Sequence, residues 1–169
     1  GTCSVMGTAS TMACVTEALG MMLPGGAAPP AVTSDRIRIA ERTGAAAVAM
    51  AAQGLTPDKV MTGKAFENAL RVLLAIGGST NGIIHLTAIA GRAGIGITYD
   101  RLNAISDETP VLVDLKPVGE GYMEDLFAAG GVYAVLHELK PMLHLDTMTV
   151  AGRTLGQVLE TPPGWVDRK

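Results

Sequence analysis

At 169 residues, with 48% hydrophobic and 17% charged side chains, the chain is long enough to bury one real core and too apolar to be disordered. A net charge of −3 and only 4% aromatic residues exclude a broad basic, base-stacking surface for nucleic acid. Gly, Pro or charge breaks every apolar run short of the ~20 residues a membrane span needs, and two cysteines, Cys3 and Cys14, are too few for a disulfide framework. A soluble protein of the reducing cytoplasm, with no nucleic-acid or membrane partner, is expected.

In chain order, the spacing predicts a helix over residues 8–22, stopped by Leu23-Pro24-Gly25-Gly26. In that helix Cys14 falls among Met12, Ala13, Val15 and Ala18 as a small buried hydrophobe. Residues 27–32 form an extended connector, and Ser34 and Asp35 cap a helix carrying Ile37, Ala40, Ala47, Val48 and Ala51. Its thin alanine stripe predicts a helix buried against a sheet or another helix. Thr62 caps a helix to about Ile76 with Phe66, Leu70, Leu73 and Leu74 facing inward. Gly77-Gly78-Ser79-Thr80-Asn81 ends it, and a further helix runs from near Asn81 to the glycines at 91–94.

Thr98 opens a short helix over residues 99–105, and residues 110–115, an apolar Val/Leu run, are the clearest strand. Two helices over 123–129 and 132–139 are split by Gly130-Gly131, residues 148–150 read as a short strand, and 155–159 as a helical turn. One strong strand cannot satisfy its own hydrogen-bonding edges, so something else must pair with it. Residues 161–169, with Pro162-Pro163-Gly164, read as a linker or tail.

Cys3 stands in Gly1-Thr2-Cys3-Ser4-Val5-Met6-Gly7-Thr8-Ala9-Ser10-Thr11-Met12, a thiol flanked by glycines and hydroxyls at the mouth of an apolar helix. Small neighbours allow close approach of a bulky group, and a helix N-terminus favours a thiolate, so a cofactor ligand is one reading. A buried free cysteine is the other. Ser79, Thr80 and Asn81 offer two hydroxyls and an amide at a joint between helices, suited to a carboxylate or sugar hydroxyls, or simply to capping the next helix. His85 is expected to be a core histidine, His144 and Asp146 to be structural or surface groups, and Glu120, Glu124 and Asp125 to be solvated acids near a helix start.

The Cys3 segment, Glu17-Ala18-Leu19-Gly20, Leu23-Pro24-Gly25, Gly77 to Asn81, His85-Leu86-Thr87-Ala88-Ile89-Ala90, Gly121-Tyr122-Met123-Glu124-Asp125-Leu126, Ala129-Gly130-Gly131, Leu143-His144-Leu145-Asp146 and Thr149-Val150-Ala151-Gly152-Arg153-Thr154-Leu155 resemble, in order, the dihydroxy-acid dehydratase and phosphogluconate dehydratase family. The resemblance spans nearly the whole chain. It implies an α/β, layered, helix-rich fragment with few strands, residues 1–160 being the second half of the family's N-terminal domain. It also implies an iron–sulfur cluster, 2Fe–2S or 4Fe–4S, held by three cysteines far apart in sequence, together with Mg2+, in a full-length parent.

Cys3 matches the last of those cysteines. The other two, with a magnesium-binding aspartate and a lysine, are expected upstream, and the serine base and a further metal-ligating glutamate beyond residue 169. No catalytic residue is therefore assigned in this chain, no metal ligand besides Cys3, and the isolated piece is expected to be inactive and to hold no cluster. The implied substrate is a small sugar acid or 2,3-dihydroxy acid, dehydrated to a 2-keto(-3-deoxy) acid by a homo-oligomer. Met6 to Met12 looks closer to the pentonate-type sugar-acid enzymes, with the branched-chain dihydroxy-acid dehydratase as the rival and a helical interaction module as the non-enzyme alternative.

Overall fold

The structure, a computed structural model, describes residues 3–162. Nine α-helices occur among them: α1 (Thr8–Ala18), α2 (Ser34–Gln53), α3 (Pro57–Val60), α4 (Gly63–Ala75), α5 (Thr80–Arg92), α6 (Tyr99–Glu108), α7 (Met123–Ala128), α8 (Gly131–Glu138) and α9 (Leu155–Val158).

The architecture is set by α4. Thr62 accepts a hydrogen bond from the Ala65 N–H at 3.3 Å to start it, and apolar residues then recur on both sides of the helix. Phe66, Leu70 and Leu73 pack with Val15, Leu19, Leu86 and Ile105 from α1, α5 and α6. Val72 and Ala75 turn the other way, into a cluster with Cys14, Leu126, Val135 and Leu139 of α1, α7 and α8. A helix buried nearly all round must be a central one, so α1, α5, α6 and α8 surround α4.

Among the described residues, the Arg71 Nε of α4 is a buried polar atom without a partner, while other polar groups inside this core are paired. The Asn68 side chain bonds both backbone groups of His144, donating to its C=O at 3.0 Å and accepting from its N–H at 2.8 Å. The Glu17 carboxylate, 5% exposed, accepts from the Gly25 and Ala27 N–H groups at 2.8 and 2.9 Å. Arg36 of α2 donates to the carbonyls of Gly26, Ala27 and Pro29 in the same turn. The connector after α1 is thus held by one carboxylate on its amides and one guanidinium on its carbonyls.

Three expectations need correction. First, α1 stops at Ala18 rather than Met22, because Gly20 takes φ +84° beneath residues 148–150: a Cβ there would stand 2.9 Å from the Met148 carbonyl oxygen, and the Val150 N–H bonds Gly20 O at 2.8 Å. Second, α2 stands largely in solvent, with only Ile39 buried and with Ile37 and Val48 about 70% exposed. A narrow stripe of Ile39, Ala46 and Met50 meets Leu23, Val60 and Val150, and alanines on the remaining faces bring too little volume to anchor anything else.

Third, residues 110–115 and 148–150 form no ladder; among the described residues the only β pairing is two isolated bridges, Leu115 with Gly121 and Met148 with Thr154. The helix-rich character expected of the chain is seen among the described residues, which contribute helices and no strand ladder. Of the expected tail, Thr161 offers its carbonyl to Tyr133 and His137, while residues 163–169 lie outside the described ones.

Candidate functional site

The amino ends of α1 and α5 meet. Thr8, the first residue of α1, places its Oγ1 3.1 Å from Ser79 Oγ, the cap of α5, and accepts from Asn81 Nδ2 at 3.0 Å. One turn on, Thr11 Oγ1 accepts from the Ser79 N–H at 3.0 Å, and Ser79 Oγ caps α5 through the Asn81 N–H at 3.3 Å. Gly78 and Gly82 make the approach possible, since a Cβ on either would meet Thr11 Cγ2, at 2.8 and 3.1 Å. Two positive helix-dipole ends therefore lie side by side.

Cys3 sits at the same end. It is exposed, its thiol has no hydrogen-bond partner among the described residues, and its Sγ lies 4.0 Å from where a Cβ on Gly7 would be. Its segment is clasped on both sides by residues 114–123: the Met6 N–H donates to Lys116 O and the Met123 N–H to Ser4 O, each at 2.8 Å. That loop is closed on itself by the Lys116 N–H to Gly121 O and the Gly121 N–H to Asp114 O. Lys116 Nζ caps it, donating to the Tyr122 hydroxyl at 2.5 Å and lying 4.0 Å from the ring centre.

Of the expected site residues, the structure gathers Cys3, Ser79, Thr80 and Asn81 at one end of the helix cluster. Ser79 and Asn81 spend their side chains on α1, whereas Thr80 is exposed and its hydroxyl has no partner among the described residues. Cys14 is fully buried, and burial, with Glu17 nearby, pushes its thiol up to about 12, as expected of a small buried hydrophobe in α1. The clasp of residues 114–123 on the Cys3 segment had no sequence signal, because it joins backbone groups more than a hundred residues apart by hydrogen bonds that any side chains permit.

His85 is a correction. It stands exposed on α5 rather than in the core, because the buried stripe of that helix is Gly82, Leu86 and Ala90, and His85 falls about 100° round from Leu86. His144 Nε2 pairs with Glu67 Oε2 at 2.8 Å, and Glu67 also takes two bonds from Arg101, at 2.8 and 2.7 Å. Arg101 first, then His144, holds the Glu67 carboxyl down at about 2. Asp146 pairs with Lys64, so the His144 and Asp146 pair fastens the 143–147 segment to α4. Asp125 accepts from the Tyr122 N–H at 2.7 Å at the start of α7, as an acid at a helix start should.

No group of three or more His, Cys, Asp or Glu among the described residues is placed to hold a metal ion. The donor chemistry fits an iron–sulfur cluster at one position only: an exposed thiol at a helix N-terminus beside a glycine. No helix of the described residues is long and apolar enough to cross a membrane.

The profile of the family described as dihydroxy-acid/6-phosphogluconate dehydratase, N-terminal, matches residues 1–158. Curated dihydroxy-acid dehydratases align along nearly the whole chain. Those of Caldicellulosiruptor bescii and Caldanaerobacter subterraneus subsp. tengcongensis are each 50% identical over 159 residues, 93% of this chain. That of Methanococcoides burtonii is 46% identical over 160 residues, 95% of this chain. The chain spans about 29% of the length of each of these relatives. With a family profile matched from end to end of its helical core, this chain belongs to the dihydroxy-acid/6-phosphogluconate dehydratase family, in that family's N-terminal region.

Proposed function

We propose that this chain is part of an iron–sulfur hydro-lyase that dehydrates a 2,3-dihydroxy acid to a 2-keto acid, with Cys3 as the one cluster ligand it contributes. The observation that carries the reading is the family match across residues 1–158, within which the exposed Cys3 thiol meets the end of the fold where two helix N-termini converge. A cluster held in part by Cys3 would supply Lewis-acid chemistry for departure of the C3 hydroxyl. The residues of this chain supply orientation: the clasp on residues 4–6 fixes the Cys3 backbone, and Thr80 and the adjoining dipoles face an anionic carboxylate. One thiolate does not retain a cluster, so Mg2+, the remaining ligands and the base belong to a full-length protein.

The substrate is a small acid, and the protein works as a cytoplasmic homo-oligomer within the layered α/β domain that the family resemblance implies. Relatives near 50% identity are named dihydroxy-acid dehydratases, which favours the branched-chain substrate class. The sugar-acid reading rests on the likeness of Met6 to Met12 to the pentonate-type enzymes; within that run the Thr8 and Thr11 hydroxyls are engaged by Ser79 and Asn81, leaving Thr80 to read extra hydroxyls. The test uses full-length protein purified without oxygen, assayed on 2,3-dihydroxyisovalerate, arabinonate and xylonate. Cys3→Ser is expected to lose both the iron–sulfur absorption and the dehydration; a variant that keeps its iron and its rate overturns the reading.

A further inference from the structure

The two arms of the 114–123 loop are pressed together. Leu115 and Gly121 form a bridge, the Lys116 N–H donates to Gly121 O at 2.9 Å, and the Gly121 N–H donates to Asp114 O at 3.1 Å. A Cβ on Gly119 would stand 2.7 Å from the Asp114 carbonyl carbon and from the Leu115 nitrogen, so glycine lets the arms close. Each arm then grips the Cys3 segment by one backbone group: Lys116 O accepts from the Met6 N–H and the Met123 N–H donates to Ser4 O. Beyond the backbone, half-buried Lys116 reaches from one arm to Tyr122 on the other, with its Nζ 2.5 Å from the hydroxyl and 4.0 Å from the ring centre.

We propose that Lys116 and Tyr122 are positioning residues for the Cys3 ligand: their contact ties the two arms together and, through the grips on Ser4 and Met6, holds the Cys3 thiol where a cluster takes it up. The two grips differ in what else supports them. Met6 is anchored besides by burial in the core with Leu115 and Met123, whereas Ser4, next to Cys3, is exposed and held by the Met123 N–H. The arm that carries Tyr122 and Met123 therefore decides where Cys3 stands. A cation bound at once by the hydroxyl and the ring face opposes the parting of that arm from its partner. The inference rests on the reading of Cys3 as a cluster ligand and adds to it the groups that fix that ligand in place.

Full-length protein purified without oxygen, carrying Lys116→Met, Lys116→Arg, Tyr122→Phe or Cys3→Ser, tests it. Lys116→Met keeps an unbranched stem and loses the cation. Its Met123 amide is expected to exchange roughly 10-fold faster in deuterated buffer, and its iron–sulfur absorption to bleach roughly 10-fold faster under a ferrous-iron chelator. Lys116→Arg, which keeps a cation for the ring, should restore both rates, and Tyr122→Phe, which keeps the ring and loses the hydroxyl, should raise both by less. Bleaching of Lys116→Met at the parent's rate overturns the proposal, and so does faster bleaching that Lys116→Arg does not restore. Cys3→Ser separates the two readings: if it keeps its absorption, the assignment of Cys3 as a ligand falls and the proposal with it. If Cys3→Ser is colourless while Lys116→Met bleaches like its parent, the positioning role alone is overturned.

Discussion

Replacing Glu17 with alanine tests whether a buried carboxylate holds the turn that follows α1. Two amides depend on it, and their surroundings differ. Gly25 is exposed, so its N–H finds water, and the lost bond costs about 1 kcal/mol. The N–H of Ala27, which is buried, is left without a partner, at about 1–3 kcal/mol. Together these give a destabilisation of about 2–4 kcal/mol at mildly acidic pH. Burial raises the Glu17 carboxyl above its ordinary value of 4.5, the N–H groups of Gly25, Ala27 and Gly26 offsetting part of the rise. With the folded value raised, the unfolded chain releases this proton first. The Glu17 contribution is therefore full below the unfolded value and declines as pH climbs from 4.5 through the raised folded one. Glu17→Ala removes that decline, so the gap between the two proteins narrows toward neutral pH. Urea unfolding followed by circular dichroism from pH 4 to 8 measures both quantities. A variant as stable as its parent at pH 5, with the same slope above it, would show that the carboxylate does not hold the turn.

In native protein a thiol reagent should modify Cys3 alone, and Cys14 only after denaturation, because Cys14 is fully buried and its thiol is raised to about 12; two fast-reacting native thiols would refute the packing of α1. Gly78→Ala should lose about 1–3 kcal/mol, since its Cβ would stand 3.0 Å from the Leu73 carbonyl as well as against Thr11, while Gly91→Ala, with open space around it in α5, should gain about 0.5–1 kcal/mol. Equal melting temperatures for the two variants would contradict the close α1–α5 contact. Glu67→Gln should flatten the acid limb of stability: its folded carboxyl is lowered to about 2, so the stabilisation present above 4.5 is lost as pH falls toward 2, and an unchanged acid limb counts against the Arg101 and His144 pairing.

Where a feature depends on neighbours in sequence, it was legible. Thr62 and Thr98 cap their helices as the spacing predicts, Ser79 caps α5, and Gly130 in the left-handed region separates α7 from α8. The misjudged features depend on distant chain. The end of α1 is decided at Gly20 by residues 148–150, and nothing within residues 8–22 reports their arrival. The alanine-rich α2 has a composition compatible with close packing, yet composition does not supply the surface to pack on, and Ile39 is its only buried residue. Residues 110–115 have the side chains of a strand, but a ladder needs a second strand, and none lies among the described residues.

The alternative roles offered by Ser79, Thr80 and Asn81 are divided among them by geometry, and that division can be measured. Ser79 bonds Thr8 and Thr11 and caps α5, so its work is to fasten two helices; Thr80, one residue on, is exposed, and its hydroxyl has no partner among the described residues. Ser79→Ala should therefore lower stability by about 0.5–2 kcal/mol, the usual cost of a lost cap. On the function proposed above, Thr80→Val should leave the melting temperature of the full-length protein unchanged and raise the KM for the acid substrate about tenfold, the worth of one substrate hydrogen bond near 1.4 kcal/mol. If Thr80→Val alters stability and leaves KM untouched, the loop is helix punctuation alone. If Ser79→Ala changes KM with no loss of stability, the hydroxyl that joins the helices is the one that meets the substrate, and the division drawn from the fold is reversed.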